Sequence, residues 1–333
     1  MNPVTHPAPT PKARGALKLV KTNKLDREEW LDVRKGGIGS SDAAAAVGLN
    51  PYKSQLELWL EKTGRDAELP KTDPNDETSP MYWGTLLEPI VAAHYTRRAG
   101  HKVRRINAVL QHPTYPWMLA NIDREVIGAP DVQILECKTA GINGARLWKE
   151  GVPEYVQLQV MHQLAVTGKQ AADVAVLLGG QELQIHRIAR DDSLIAQLME
   201  LEAQFWAFVE TDQPPPADGS DSADQALRCL YPRDAGHILN FAEDSVMSAL
   251  FSDLVAVRQT LVDHGDVEAR LRQRIQERMG DATRVIFETG EVSWKRSKDS
   301  TTLDIAALKK DYPELLVRYT LPKAGSRRFL VNT

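Results

Sequence analysis

What most constrains the fold of this chain is a change of period. Up to about residue 99 the apolar residues recur in threes and fours, the signature of helices packed on one face. "DREEWLDVR" reads as a short helix with Asp26 as N-cap, closed before Gly36-Gly37. Ser40, Ser41 and Asp42 then cap a helix running through the alanines to Gly48, and Leu56, Trp59 and Leu60 mark a further one. From Tyr82 to Ala99, Leu86, Leu87, Ile90, Val91, His94 and Tyr95 share a face, with Pro89 either kinking that helix or sitting in its first turn. Between 103 and 139 the period drops. "KVRRINAVLQHP", "WMLANIDREVI" and "DVQILECKTA" read as three strands separated by "TYP" and "GAP". A helix follows, "VPEYVQLQVMHQLAVTG", with Tyr155, Leu158, Met161, Leu164 and Ala165 inward. Two strands, "AADVAVLLGG" and "QELQIHRIAR", and an amphipathic helix, "DDSLIAQLMELEAQFWAFVET", complete the series. That order predicts a mixed α/β fold whose sheet begins antiparallel.

The domain plan follows from composition. Residues 1–24, rich in proline and lysine without an apolar core, read as a flexible basic tail rather than a signal peptide. Residues 25–211 form the core domain, and 212–225, beginning "DQPPPADGS", form a linker. Residues 226–333 make a helical and β extension. In it Val246, Leu250, Leu254, Val257 and Leu261 mark a long helix, a hairpin turns at Thr289-Gly290, and "RRFLVN" is a last strand. From Lys295 onward basic residues outnumber acidic ones roughly two to one, which fits a DNA-facing surface and equally a solvated mixed-charge face. The formal net charge of -4 argues neither for nor against nucleic acid, and two cysteines suggest no disulfide framework. No apolar run approaches a membrane span, so a cytoplasmic protein is expected.

The chemistry concentrates between Trp117 and Thr139. With the turn at Ala129-Pro130, antiparallel pairing sets Asp123 opposite Glu136, Cβ atoms about 5 Å apart, near enough to share a divalent cation. Glu136 and Lys138, two residues apart, face the same way. Burying like charges together is costly unless a cation compensates; a surface-facing edge without function is the bland alternative. Asp131 of the Pro130-Asp131 pair falls in the turn and is read as a turn cap, not a ligand. The chemistry that needs such a patch is metal-assisted phosphodiester hydrolysis, with Lys138 positioning or deprotonating the attacking water. The eight histidines show no zinc-like clustering.

These residues resemble the PD-(D/E)XK nuclease superfamily, and more closely the phage alkaline exonucleases of the lambda exonuclease and YqaJ recombinase group. The resemblance rests on "EEWLDVRKGGIGSSDAAAAVGLNPY" with "ELWLEKTG", "YWGTLLEPIVAAHY", "MLANIDREV", "ILECKT" and "VPEYVQLQVMHQLAVTG", in that order, over about residues 28–210. It implies a restriction-endonuclease-like core, a mixed central sheet flanked by helices, that degrades the 5′-ended strand of linear duplex DNA. Asp123 and Glu136 would be metal ligands, with the main-chain carbonyl of Cys137 as a third, and Lys138 the catalytic lysine. Glu88 matches an upstream helical glutamate supporting the metal-water network. Gln159 matches a helical glutamine beside the site; the register leaves Gln157 open, though the trailing "AVTG" favours Gln159. Arg34 and Ser41 match positions that hold a 5′-terminal phosphate, and Ser40 lies at the same helix start. The resemblance further implies Mg2+, replaceable by Mn2+, with two ions during catalysis. It also implies linear duplex DNA with 5′-phosphorylated ends as substrate, a ring-shaped homotrimer, a single-strand annealing protein as partner, and a phage or prophage origin in a bacterial cytoplasm.

Rival readings are a restriction-type endonuclease, a RecB-like nuclease, a non-catalytic DNA-end binder, and a nucleotide-binding module on the glycine loop. An iron–sulfur cluster of the RecB kind needs four cysteines. A non-catalytic binder would be expected to lack an acid or the lysine, and neither nucleotide fingerprint is met at Gly36–Ser41.

Overall fold

A computed structural model describes residues 15–71, 73–322 and 325–332. The chain divides into two compact units, Met1–Pro232 and Arg233–Thr333. Most of the expected basic tail, residues 1–14, lies outside the described residues. The rest of it is not a tail: strand β1 (Leu17–Lys21) pairs antiparallel with residues 108–111.

Helix α1 (Arg27–Lys35) starts on a reciprocal cap. The Glu29 N–H donates to Asp26 Oδ1 at 2.9 Å and the Asp26 N–H to Glu29 Oε2 at 3.0 Å. The glycines that follow have a packing reason. A Cβ on Gly37 would stand 2.5 Å from the Trp117 carbonyl oxygen, because Ile38 bridges Met118 there. Ser40–Asp42 form a 3-10 turn and α2 (Ala43–Ala46) a single buried helical turn, shorter than expected because Val47 already leaves helical geometry. Helices α3 (Gln55–Lys62) and α4 (Pro80–Ala99) come next. Pro89 sits inside α4, which opens on Ser79 as N-cap and Pro80 at N1.

The strand region departs from expectation in one respect that matters. The first two expected strands are each broken, into β2 (Lys102–Arg104) and β3 (Ala108–Gln111), and β4 (Leu119–Ala120) and β5 (Arg124–Ile127). The pieces change partners at the breaks. One sheet has the order β1-β3-β4. Strands β2 and β5 join β6 (Ile134–Ala140), β7 (Ala171–Leu178) and β8 (Glu182–Ala189) in a five-stranded sheet of order β2-β5-β6-β7-β8. Helix α5 (Glu154–Thr167) is the crossover that makes β6 and β7 parallel, while the other pairs in this sheet are antiparallel. This is the expected mixed central sheet with helices against it.

Alternation along β6 sorts the two faces. Ile134 packs with Leu158, Met161 and Leu164 of α5, whereas Leu135 packs with Val91 and Tyr95 of α4. Helix α5 is buried nearly all round, lying against the sheet, α2 and α6 (Asp192–Glu210). A third cluster joins α2, α3 and α6 to α7 (Asp221–Leu230). Here the expected linker needs correction. Ser222, on α7, accepts the Ser54 N–H at 2.8 Å and donates to Glu57 at 2.5 Å, so 221–230 belong to the first unit and the boundary falls after Pro232.

The second unit holds α8 (Ser245–Met279), a hairpin of β9 (Arg284–Phe287) and β10 (Gly290–Ser293), α9 (Ile305–Asp311) and α10 (Pro313–Tyr319). The hairpin is the one expected at Thr289-Gly290; the expected last strand is not formed, and 325–332 carry neither helix nor strand. One 18-residue window of α8 reaches a mean hydropathy of 1.2, which meets the length and composition of a membrane-crossing segment but does not by itself mark one.

Candidate active site

The register of β5 on β6 pairs Arg124 with Leu135 and Glu125 with Ile134. Continued by one residue it sets Asp123 opposite Glu136, at the mouth where the two strands part. Asp123 lies at the break between β4 and β5, and its Oδ2 accepts the Cys137 N–H at 2.8 Å. Because the N–H and C=O of one residue in an extended strand leave on the same side, the Cys137 carbonyl also faces Asp123.

Glu136 is buried and wrapped in donors. Its Oε1 accepts from Gln159 at 2.6 Å and lies 2.7 Å from the Lys138 ammonium, and its Oε2 accepts from Gln163 at 2.7 Å. Gln159 also accepts from Lys138 at 2.8 Å, so one amide ties the acid to the lysine. Gln157 instead points outward and donates to the Val152 carbonyl at 2.6 Å. Gln163 was missed in the sequence. Its signal was there: it lies four residues after Gln159, on the same face of α5.

Electrostatics show what this cluster lacks. Burial, and then the neighbouring charge of Glu136, push the Asp123 carboxyl up to about 8. Burial alone would lower the Lys138 ammonium, but the charge and hydrogen bond of Glu136 hold it above its ordinary value. The Cys137 thiol is pushed up by burial and by both acids. A buried and a half-buried carboxylate with a main-chain carbonyl are a hard oxygen donor set, and they fit a divalent cation such as magnesium. Among the described residues no three histidine, cysteine or acidic side chains converge as a ligand group.

Glu88 makes no hydrogen bond with Asp123 or Glu136, although its charge is among those that raise the Asp123 carboxyl. It projects from α4, on the opposite face of the sheet, where Arg124 also points. The Arg124 guanidinium donates to Glu88 Oε1 at 2.5 Å and to the Asp123 carbonyl at 2.7 Å, and Arg105 donates to the same Glu88 oxygen at 3.2 Å. Asp131 lies in the turn as expected, but its carboxylate accepts from Arg187 of β8 at 2.8 Å, an ion pair across the sheet rather than a turn cap.

Arg34, Ser40 and Ser41 gather at the 40–42 turn, which packs against α5. The Arg34 guanidinium stacks on Trp30 and donates to Ser41 Oγ at 2.9 Å and Asp42 Oδ1 at 2.7 Å. Ser40 is buried and its Oγ has no hydrogen-bond partner. Asp42, unnoticed in the sequence beyond a capping role, organises this corner. It also accepts from the buried Lys62 ammonium at 2.7 Å. Burial opposes its ionisation, yet Arg34 and Lys62 hold its carboxyl well below the usual range. Two cations against one anion leave the corner net positive. A helix dipole adds little, because α2 has a single turn.

Residues 29–170 match the model of the YqaJ-like viral recombinase domain. The YqaJ protein of Bacillus subtilis (strain 168) is 35% identical over 309 residues, which cover 91% of this chain and 93% of that one. Among solved structures, the alkaline exonuclease LHK-Exo of Laribacter hongkongensis is 26% identical with a TM-score of 0.47, covering 56% of this chain and 93% of that one. A phage-related exonuclease of Haemophilus somnus is 10% identical with a TM-score of 0.39, covering 53% and 94%.

Proposed function

The chain belongs to the YqaJ-like viral recombinase family, and on that ground and the acid–lysine–glutamine cluster we propose that it is a magnesium-dependent 5′-to-3′ exonuclease acting on linear double-stranded DNA ends. The observation that carries the reading is Glu136 held between Lys138, Gln159 and Gln163, with Asp123 across the strand mouth.

Asp123, Glu136 and the Cys137 carbonyl would hold the cation. What a divalent cation supplies when bound there is charge stabilisation of the scissile phosphate and a more acidic attacking water. Two of the three Lys138 N–H donors are committed to Glu136 and Gln159, which aims the third. With its ammonium held protonated, Lys138 orients the water and offsets charge developing on the phosphate. Gln159 and Gln163 keep the Glu136 carboxylate fixed. Arg34, Ser40 and Ser41 form the site for the 5′-terminal phosphate, with the accessible Arg34 guanidinium and Ser41 hydroxyl as its direct donors and the buried Ser40 beneath them. Shortening of the 5′-ended strand leaves a 3′ overhang, which suits a single-strand annealing partner in recombination. A homotrimer enclosing the duplex, in a bacterial cytoplasm, completes the reading.

The test is digestion of linear duplex labelled separately on each strand, with magnesium and with chelator. Loss of the 5′-ended strand only with metal, with closed circles intact, is the expected result. Nicking of circles, or activity in chelator, would overturn it. Lys138→Ala should abolish digestion, and Arg34→Ala should slow 5′-phosphorylated ends more than 5′-hydroxyl ends.

A further inference from the structure

Two cations already sit among the three acids. Lys138 belongs to the α5 face of the sheet, with Glu136 and Asp123. Arg124 belongs to the α4 face, because it pairs with Leu135, and there it meets Glu88. It is buried, at 7% exposure, and both of its contacts come from one terminal nitrogen, 2.5 Å from Glu88 Oε1 and 2.7 Å from the Asp123 carbonyl oxygen. A guanidinium so placed bridges the backbone of one ligand residue to the Glu88 carboxylate and takes up that carboxylate's charge. Arg105 reinforces it from the rim, 3.2 Å from the same oxygen.

We infer that Arg124 is a built-in substitute for a second metal ion, so that the centre takes a single divalent cation and Glu88 is a partner of arginine rather than of metal. The inference rests on the proposed metal-dependent nuclease reading and narrows it. Arginine suits the task better than lysine, since its guanidinium is always charged and its donors are fixed in a plane.

The experiment counts bound Mn2+ on the full chain by the loss of the free-ion electron paramagnetic resonance signal. It is run alone and with a 5′-phosphorylated duplex blocked by phosphorothioates at its terminal linkages, subtracting a duplex blank. One Mn2+ per chain is expected in both states. Glu88→Gln should leave that count at one. Arg124→Gln, which frees Glu88, should raise it to two. A count of two in the wild type, or loss of an ion in Glu88→Gln, would overturn the inference. Asp123→Asn should bring the count to zero. A wild type that binds no Mn2+ in either state would instead overturn the metal-dependent reading itself. Circular dichroism checks each variant, and if Arg124→Gln fails to fold, the wild-type and Glu88→Gln counts still decide.

Discussion

At the scale of single residues, the centre trades stability for chemistry. An Asp123 carboxyl pushed up to about 8 is a group whose charge the metal-free fold resists. Asp123→Asn keeps the shape and removes the charge, so in chelator it should melt higher than the wild type while losing digestion. A lower melting temperature would show that the Asp123 to Cys137 hydrogen bond outweighs the repulsion. Gln163 is the opposite case. It is fully buried and donates to Glu136 at 2.7 Å, so Gln163→Ala strips a charged acceptor of a partner and should cost about 1–3 kcal/mol. Because Glu136 then loses its fixed orientation, kcat should fall more than KM rises. An unchanged kcat would remove Gln163 from the positioning set. Asp123, Glu136 and Lys138 were legible in the sequence because strand alternation and a turn centre suffice to place them. Gln163 and Arg124 were not, because their roles depend on which helix covers which face of the sheet, and no local pattern states that.

At the scale of elements, helix α5 does the positioning and a buried pair fixes α5. Both ring nitrogens of His162 face acceptors, Glu202 Oε1 on α6 at 2.7 Å and the Leu119 carbonyl of β4 at 2.9 Å, so the ring donates from both. Burial lowers the imidazolium's pKa, but the charge and hydrogen bond of Glu202 and the Leu119 carbonyl raise it above its ordinary value on balance. A raised histidine contributes stability that is fully present below the unfolded value of about 6.5 and is lost as pH rises through the folded value. His162→Ala leaves Glu202 buried and unpaired, which should cost roughly 3–5 kcal/mol near pH 6 and less at pH 9. Urea denaturation across that range measures it, and a cost independent of pH would mean the ring packs as a neutral group. In the sequence His162 falls within the helix "VPEYVQLQVMHQLAVTG", and nothing local names Glu202, 40 residues away. The broken strands have the same cause. Period-two alternation shows that Leu119–Ala120 and Arg124–Ile127 are extended, but not that they pair in different sheets, and it is the break between them that aims Asp123.

At the scale of the whole molecule, each unit has its own account. The first, to Pro232, owns every core cluster, and the order of its elements was legible because each is a long periodic run. Its boundary was not. Proline and aspartate at 212–225 read as a linker, yet the stretch runs into α7, whose Ala223 and Ala226 are buried and whose Ser222 locks onto Ser54. Composition reports where a helix stops, not where the chain docks again. In the second unit, among the described residues, Met279 is the one buried hydrophobic, while Val246, Leu250, Val257 and Leu261 of α8 are more than half exposed. Local opening follows low burial. Limited proteolysis of the full chain should therefore cut first between 233 and 244, where no helix or strand forms, and leave a fragment ending near Pro232. That fragment carries Arg34, Asp123, Glu136, Lys138 and both active-site glutamines, so it should melt cooperatively and bind Mn2+ as the full chain does. Early cuts within α7, or a fragment without a cooperative transition, would mean that the first unit depends on residues beyond Pro232.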